Sequence, residues 1–319
     1  MVTPTLRADE NGLKNPSELV EPVLAALDTI IIGKPIELRL SLACLLARGH
    51  LLIEDLPGVG KTTLAHALAK ALDLSYQRIQ FTSDLLPADV IGVSVYGRDT
   101  GRFEFHKGPI FTHLVLADEI NRATPKAQSS LLEAMEELQV TADGDTYSLP
   151  SPFFVVATRN PTEQIGTFPL PESQLDRFLM QISLGYPLPA EERVLLANGD
   201  RHDLVADLEP ILNIDTLVRL QGAVSTIHLA DAALDYVQAL VAYTRESGKF
   251  TVGLSPRGAL ALVRAAQAWA LMENHSGVHP EDVQAVLPSI VAHRLDPSPD
   301  GELTSTHTGQ AILEAVPVT

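Results

Sequence analysis

The sequence predicts an α/β fold: a parallel sheet with helices on both sides, followed by a smaller all-helical domain. Three observations carry this expectation. Short apolar or β-branched runs alternate with helical patterns as far as residue 187, which is how a parallel sheet covered on both faces is written. A glycine-rich turn, D-L-P-G-V-G-K-T at 55–62, joins one such run to a helical pattern. Past Pro187-Leu188-Pro189 only helical periodicity remains.

Residues 1–18 are polar and read as a lead-in. A helical pattern starts at Glu21, breaks at Ile32-Gly33-Lys34-Pro35 and resumes to Arg48. Strands are expected at 50–54, 75–81, 113–118, 153–158 and 178–184. Helices are expected at 61–72 and 125–139. The second has Thr124 as its cap, Pro125 at its first position, and Leu131, Leu132, Met135 and Leu138 on one face. Two segments alternate at period 2 and read as β-hairpins: 90–107 around R-D-T-G, and 138–152 around Asp143-Gly144. In the all-helical part, 231–246, 256–271 and 280–293 are helical, and a short amphipathic stretch at 304–315 follows a Pro/Gly/Asp-rich linker. The expected division is a lead-in to residue 18, an α/β core over 19–187 and a helical domain over 188–319.

The turn at 55–62 has the form of a phosphate cradle. Gly58 and Gly60 permit backbone angles that aim successive N–H groups at one anion, and Pro57, Val59 and Thr63 complete the loop and its helix start. Lys61 would reach the β- and γ-phosphates, and the Thr62 hydroxyl would bind Mg²⁺. L-V-L-A-D-E at 114–119 is an apolar strand ending in two acids. Phosphoryl transfer needs one carboxylate for the metal and another to orient the attacking water, and Asp118 and Glu119 fit these roles. F-V-V-A-T-R-N-P at 154–161 is a further buried strand ending at Asn160. Its neutral amide suits the γ-phosphate or the water, although an Asn-Pro turn is an equally local reason for that residue.

Arg257 follows Ser255 and Pro256 in the first turn of a helix, where a cation opposes the helix dipole by about 0.3–1 kcal/mol. An anion nearby would remove that conflict. Arg177 falls late in a short helix, where a cation is at ease without any further role. His275 and His279 have an i, i+4 spacing, but Gly277 and Pro280 break the helix that would align them, so metal binding is not expected there. Asp143 and Asp145 read as turn residues, not a calcium loop. Cys44 and Trp269 read as core.

With 319 residues, 45% hydrophobic, the chain has ample material for a core. Apolar stretches fall short of a membrane span, and the first residues lack the apolar centre of a signal peptide. One cysteine excludes an intrachain disulfide, and these features together predict the cytoplasm. A net charge of −17 with no dense Lys/Arg run argues against a nucleic-acid-gripping surface.

These strings together resemble AAA+ ATPases, and specifically the MoxR family, from about residue 20 to the end. The resemblance rests on E-D-L-P-G-V-G-K-T (54–62), R-I-Q-F-T-S-D-L-L-P-A-D-V-I-G (78–92), A-D-E-I-N-R-A (117–123), L-L-E-A-M-E-E (131–137), P-L-P-E-S-Q-L-D-R-F (169–178) and S-P-R (255–257). Asp55, unusual for P-loops in general, is normal in this family. Lys34 and Arg159 stand where glutamine is usual, and residues 272–279 diverge from the family's lid. The resemblance implies an Mg-ATP hydrolysing AAA+ core with a lid, assembled as a ring, commonly hexameric. Asn160 would be sensor 1, Arg257 sensor 2, and Arg177 an arginine finger reaching the neighbouring subunit's γ-phosphate. Ile32 and Gly33 would line the adenine pocket, and the two hairpins would line the central pore. It also implies chaperone-like remodelling of a protein client, with a separate von Willebrand factor A domain partner. The rival readings are a nucleic-acid motor or transcription regulator, which would need basic pore loops, and an ATP-gated scaffold, which would have damaged catalytic acids.

Overall fold

The structure, a computed structural model, describes residues 15–99, 101–161, 166–198, 202–299 and 308–318. Most of the expected lead-in, Thr100 of the first hairpin turn and the 300–307 linker therefore lie outside the described residues. Helix α1 (Pro16–Ile30) starts ahead of the expected Glu21. Asn15 caps it by accepting from the Ser17 N–H at 3.3 Å, and Pro16 occupies its first turn. Then come α2 (Pro35–Leu46), β1 (Leu51–Glu54), α3 (Lys61–Ala71) and β2 (Tyr76–Gln80).

A short helix, α4 (Pro87–Ile91), precedes the first hairpin and takes two residues that the sequence pattern assigns to it. Pro87 sits at its first position, and the Asp89 carboxylate accepts from Leu86 N–H at 2.8 Å. One turn is too short to leave a periodic signal. The hairpin itself is β3 (Gly92–Gly97) with β4 (Arg102–Lys107). Next are β5 (Leu114–Asp118), α5 (Pro125–Glu137), the second hairpin of β6 (Gln139–Ala142) and β7 (Asp145–Ser148), and β8 (Phe154–Arg159). Asp143 and Gly144 turn this hairpin at φ 52° and 91°, the left-handed pair that a two-residue connection requires. Helix α6 (Glu172–Leu175) and β9 (Met180–Ile182) complete the α/β part.

The remainder is helical: α7 (Pro189–Asn198), α8 (His202–Ala206), α9 (Ile214–Val224), α10 (Asp231–Glu246), α11 (Pro256–Met272), α12 (Pro280–Val291) and α13 (Thr308–Ala315). The last four match the expected helices. Helix α9 is not among the helices expected from sequence, although Asn213 caps it, accepting from Thr216 N–H at 2.9 Å.

The main sheet has five parallel strands in the order β2-β5-β8-β1-β9. Its two faces feed two cores by simple alternation. Leu51, Ile53, Leu114, Leu116, Phe154 and Val156 point into a core shared with α1–α3 and the C-terminal helices. Leu52, Val115, Ala117, Val155 and Ala157 point into a second core closed by α5 and Phe178. Helix α2 is buried from Leu38 and Leu40 to Leu46, wedged among α1, β1, β9, α9 and α11. The two hairpins stand outside the sheet and touch each other through Phe105 and Tyr147, stacked at 4.4 Å between ring centroids. On the first hairpin Val93, Val95, Tyr96 and Phe103 are exposed.

Candidate active site

The C-terminal ends of β1, β5 and β8 lie side by side, so the segments leaving these strands share one edge, where open α/β sheets place their ligands. After β1 comes the turn 55–60, after β5 comes Glu119, and after β8 comes Asn160. Pro57, Gly58, Gly60, Lys61, Thr62, Thr63, Asp118, Glu119 and Asn160 line one cavity of about 370 Å³. The cradle residues, the acid pair and Asn160 are thus brought to one place.

The cradle is built from backbone. Gly58 and Gly60 sit at φ 85° and 100°, and Gly60 starts α3 with no side-chain cap, leaving first-turn N–H groups for an anion. The Lys61 ammonium donates to the Asp55 and Leu56 carbonyls at 2.7 and 2.8 Å. Burial draws its pKa down, while Asp55, Asp118 and Glu119 pull it back up.

The two acids are already engaged. Asp118 accepts from the Thr158 hydroxyl at 2.6 Å on one oxygen, and from Arg78 at 2.5 and 3.1 Å on the other. Glu119 accepts from the Gln80 amide at 2.9 Å and pairs with Arg122 at 3.2 Å. Its backbone lies in the left-handed region at φ 56°, ψ 48°, uncommon for a non-glycine residue, and its N–H is fixed by the Thr158 hydroxyl at 2.9 Å. Arg78, Gln80 and Thr158 are site residues that sequence reasoning misses. The signal for Arg78 and Gln80 is present as two polar side chains at i, i+2, one face of an edge strand.

Asp55 ties the cradle to the next segment. It is 4% exposed, and its carboxylate accepts from Leu56 N–H at 2.8 Å, Ser183 hydroxyl at 3.1 Å and Gly185 N–H at 2.6 Å. Beside it lies an adjoining cavity of about 440 Å³ lined by Ile32, Pro57, Gly58, Val59, Gly60, Thr63 and Tyr186, among others. Pro57, Gly58, Gly60 and Thr63 face both cavities, so a ligand seated on the cradle can extend into the apolar one. Gly33 does not line either. It turns the chain at φ 72° with the Glu191 carboxylate so close that a Cβ there would meet it at 2.0 Å.

Arg177 and Arg257 are elsewhere. They line a separate cavity of about 550 Å³ together with Arg48, Arg264 and Arg294, and it shares no lining residue with the cradle cavity. Both arginines converge on Glu136 of α5, Arg177 at 3.0 Å and Arg257 at 2.5 Å, and Arg177 also donates to the Leu132 carbonyl at 2.5 Å. The anion that relieves Arg257 at its helix start is thus a carboxylate of the same chain. Arg177 follows α6 instead of lying in it.

A glycine cradle with lysine and threonine at a helix start, facing a strand-end acid pair, defines a P-loop nucleotide hydrolase. Residues 50–180 match the ATPase family associated with various cellular activities (AAA), and residues 242–316 match the AAA lid domain. The chain is 47% identical to the uncharacterized protein YeaC of Bacillus subtilis over 90% of both chains. It is 39% identical to the chaperone MoxR1 of Mycobacterium tuberculosis, covering 89% of this chain and 77% of that one. It is 36% identical to the protein MoxR of Paracoccus denitrificans over 91% and 92%. A crystal structure of a candidate ATPase from Cytophaga hutchinsonii superposes with a TM-score of 0.86 at 34% identity, covering 95% and 96%. The chain belongs to the MoxR family of AAA+ ATPases, and it is an ATPase. No helix among the described residues is long and apolar enough to cross a membrane.

Proposed function

We propose that this ATPase binds Mg-ATP across the two adjoining cavities and works as a ring, most simply a hexamer. In this reading residues 19–187 are the ATPase core and 188–319 the lid. The triphosphate lies on the Gly58–Thr63 cradle and the base extends toward Ile32. The oxygen donors Thr62 and Asp118 are a hard pair suited to Mg²⁺, which when bound neutralises phosphate charge. Lys61 holds the β- and γ-phosphates, Glu119 orients the attacking water, and Asn160 hydrogen-bonds the terminal phosphate without competing for the metal. Gly33 supports the base pocket through its turn rather than as lining.

The observation that carries the ring is the separation of the arginines from the cradle. Arg177 and Arg257 face a cavity with no lining residue in common with the cradle cavity, and in this reading the two are halves of one site that a neighbouring copy completes. A neighbouring copy would present its Arg177 and Arg257 to this chain's nucleotide, each exchanging Glu136 for phosphate. Such an arginine is worth about 10³–10⁵ in turnover. Arg177→Ala should bind ATP nearly normally and turn it over very slowly. Mixing it with Lys61→Ala should restore part of the activity, because intact cradles then meet intact arginines. Concentration-independent turnover, fully retained in Arg177→Ala, would remove the ring.

The relative named chaperone MoxR1 supports a chaperone-like role on a protein client. In this reading the family resemblance adds a separate von Willebrand factor A domain partner and work in the cytoplasm. The exposed Val93, Val95, Tyr96 and Phe103 of the first hairpin are the surface offered to the client. A nucleic-acid motor is disfavoured by the net charge of −17, and a non-hydrolysing scaffold by the intact Asp118, Glu119 and Arg177.

A further inference from the structure

We propose that His275, His279 and Asp282 form a three-ligand site for a divalent transition metal, Zn²⁺ foremost, at the turn joining α11 to α12. The turn breaks the helix as Gly277 and Pro280 dictate, so the i, i+4 spacing never acts on a helical face. The same turn folds back and brings both imidazoles to one carboxylate. The two rings stack with centroids 4.2 Å apart, and His275 Nδ1 lies 3.1 Å from each Asp282 oxygen. One ligand atom from each of the three residues can be chosen so that all lie within 4.8 Å of one another.

Capping α12 accounts for only part of this arrangement. Asp282, 1% exposed, accepts from the His279 N–H at 2.8 Å, which satisfies the helix start and uses one oxygen. Neither imidazole is needed for that bond. The second carboxylate oxygen and the two rings make a nitrogen–nitrogen–oxygen set, the donor chemistry that Zn²⁺ takes at about 2.0–2.2 Å. Tetrahedral coordination at that length sets ligand atoms about 3.3 Å apart, so the ligand atoms must close in by up to about 1.5 Å. His275 would present the Nδ1 lone pair and carry its proton on Nε2.

The scaffold is held in advance. Val278 N–H donates to the His228 carbonyl at 2.8 Å, and Gly277 pairs alongside His228 with no room to spare, since a Cβ would meet that carbonyl at 3.2 Å. His275 is half-buried and His279 exposed, which gives an ion a path in and leaves the remaining coordination positions to water. The site lies in the lid among residues that the nucleotide reading does not use, so it stands apart from that reading.

The test uses the full, untagged chain stripped of metal and titrated with Zn²⁺ by calorimetry, with Co²⁺ as a visible-absorption probe of coordination. Asp282 is left intact because it caps α12. The wild type should bind one equivalent that His275→Ala/His279→Ala loses, and each single variant should weaken binding at least about tenfold. Zn²⁺ should raise the melting temperature of the wild type and not of the double variant. Basal ATPase activity and circular dichroism of the double variant should match wild type, separating lost ligation from lost folding. Equal Zn²⁺ stoichiometry and affinity in wild type and double variant, or no binding by the wild type, would overturn the site.

Discussion

Replacing Asp55 with alanine is the perturbation whose effect the geometry dictates most directly. Its buried carboxylate accepts from Ser183 and Gly185, residues 128 and 130 positions away in sequence. A hydrogen bond to a charged acceptor contributes about 1.5–3 kcal/mol. Two such bonds are lost, the adjacent Leu56 contact being local. Water entering from the neighbouring cavities satisfies part of what is left, so the net loss is about 2–4 kcal/mol. At about 2.1 cal/mol/K per residue, the unfolding entropy of this 319-residue chain is about 0.7 kcal/mol/K. Asp55→Ala should therefore lower the melting temperature by about 3–6 °C. The same carboxylate holds the segment carrying Tyr186 against the apolar cavity, so the thermal protection given by ATP should also shrink. Differential scanning calorimetry with and without nucleotide measures both effects, and Asp55→Asn should fall between alanine and wild type. A melting temperature within about 1 °C of wild type, with undiminished protection by ATP, would refute the reasoning.

Two further outcomes are expected. His50 is buried, donating from Nε2 to the Met135 carbonyl at 3.3 Å and accepting from Val155 N–H on Nδ1 at 3.0 Å, and burial lowers its pKa from 6.5 to about 4. The unfolded chain therefore binds the extra proton first. This contribution is complete above pH 6.5 and is lost toward pH 4, by up to about 1.4 kcal/mol per unit, as urea titrations across that window should show. Arg78, half exposed on Asp118, competes with any cation for that carboxylate. Arg78→Ala should lower the Mg²⁺ concentration needed for half-maximal nucleotide binding by about two- to fivefold, as a pair of that exposure is worth under about 1 kcal/mol. An unchanged or raised requirement would show that Arg78 does not mask the acid.

The strands of the sheet are legible in the sequence because each is short, apolar and bounded by turn residues, and because the cradle and acid pair must come after particular strands. The cradle cavity is legible for the same reason: its parts are local motifs aligned by a parallel sheet. The features that escape depend on contacts between distant segments. Arg257 is recognisable as misplaced at a helix start, but its partner Glu136 lies 121 positions earlier, and no local pattern joins them. Arg78 and Gln80 gain meaning only because β2 pairs with β5, placing Arg78 against Asp118 and Gln80 against Glu119. The i, i+4 argument at His275 and His279 concerns a helical face, whereas these residues lie in a turn that stacks their rings at 4.2 Å. Helix α9 has buried Leu217, Leu220 and Val224 at helical spacing, yet its period is brief and its neighbours are irregular.

Helix α2 bears on how modular this ATPase is. Past its exposed first residues, Pro35 and Ile36, it is buried among α1, β1, β9, α9 and α11, and Gln221 of α9 donates to the Leu45 carbonyl at 2.8 Å inside that seam. A fragment cut after residue 187 would strip an apolar rod of half its cover and leave Leu38, Leu42 and Leu45 to seek other partners. Sequence order and physical order thus disagree about the seams of the molecule. A chimaera joined near residue 187 would therefore need both sides of the α2 seam from the same parent. The contiguous C-terminal segment alone would be grafted onto a surface it did not grow with.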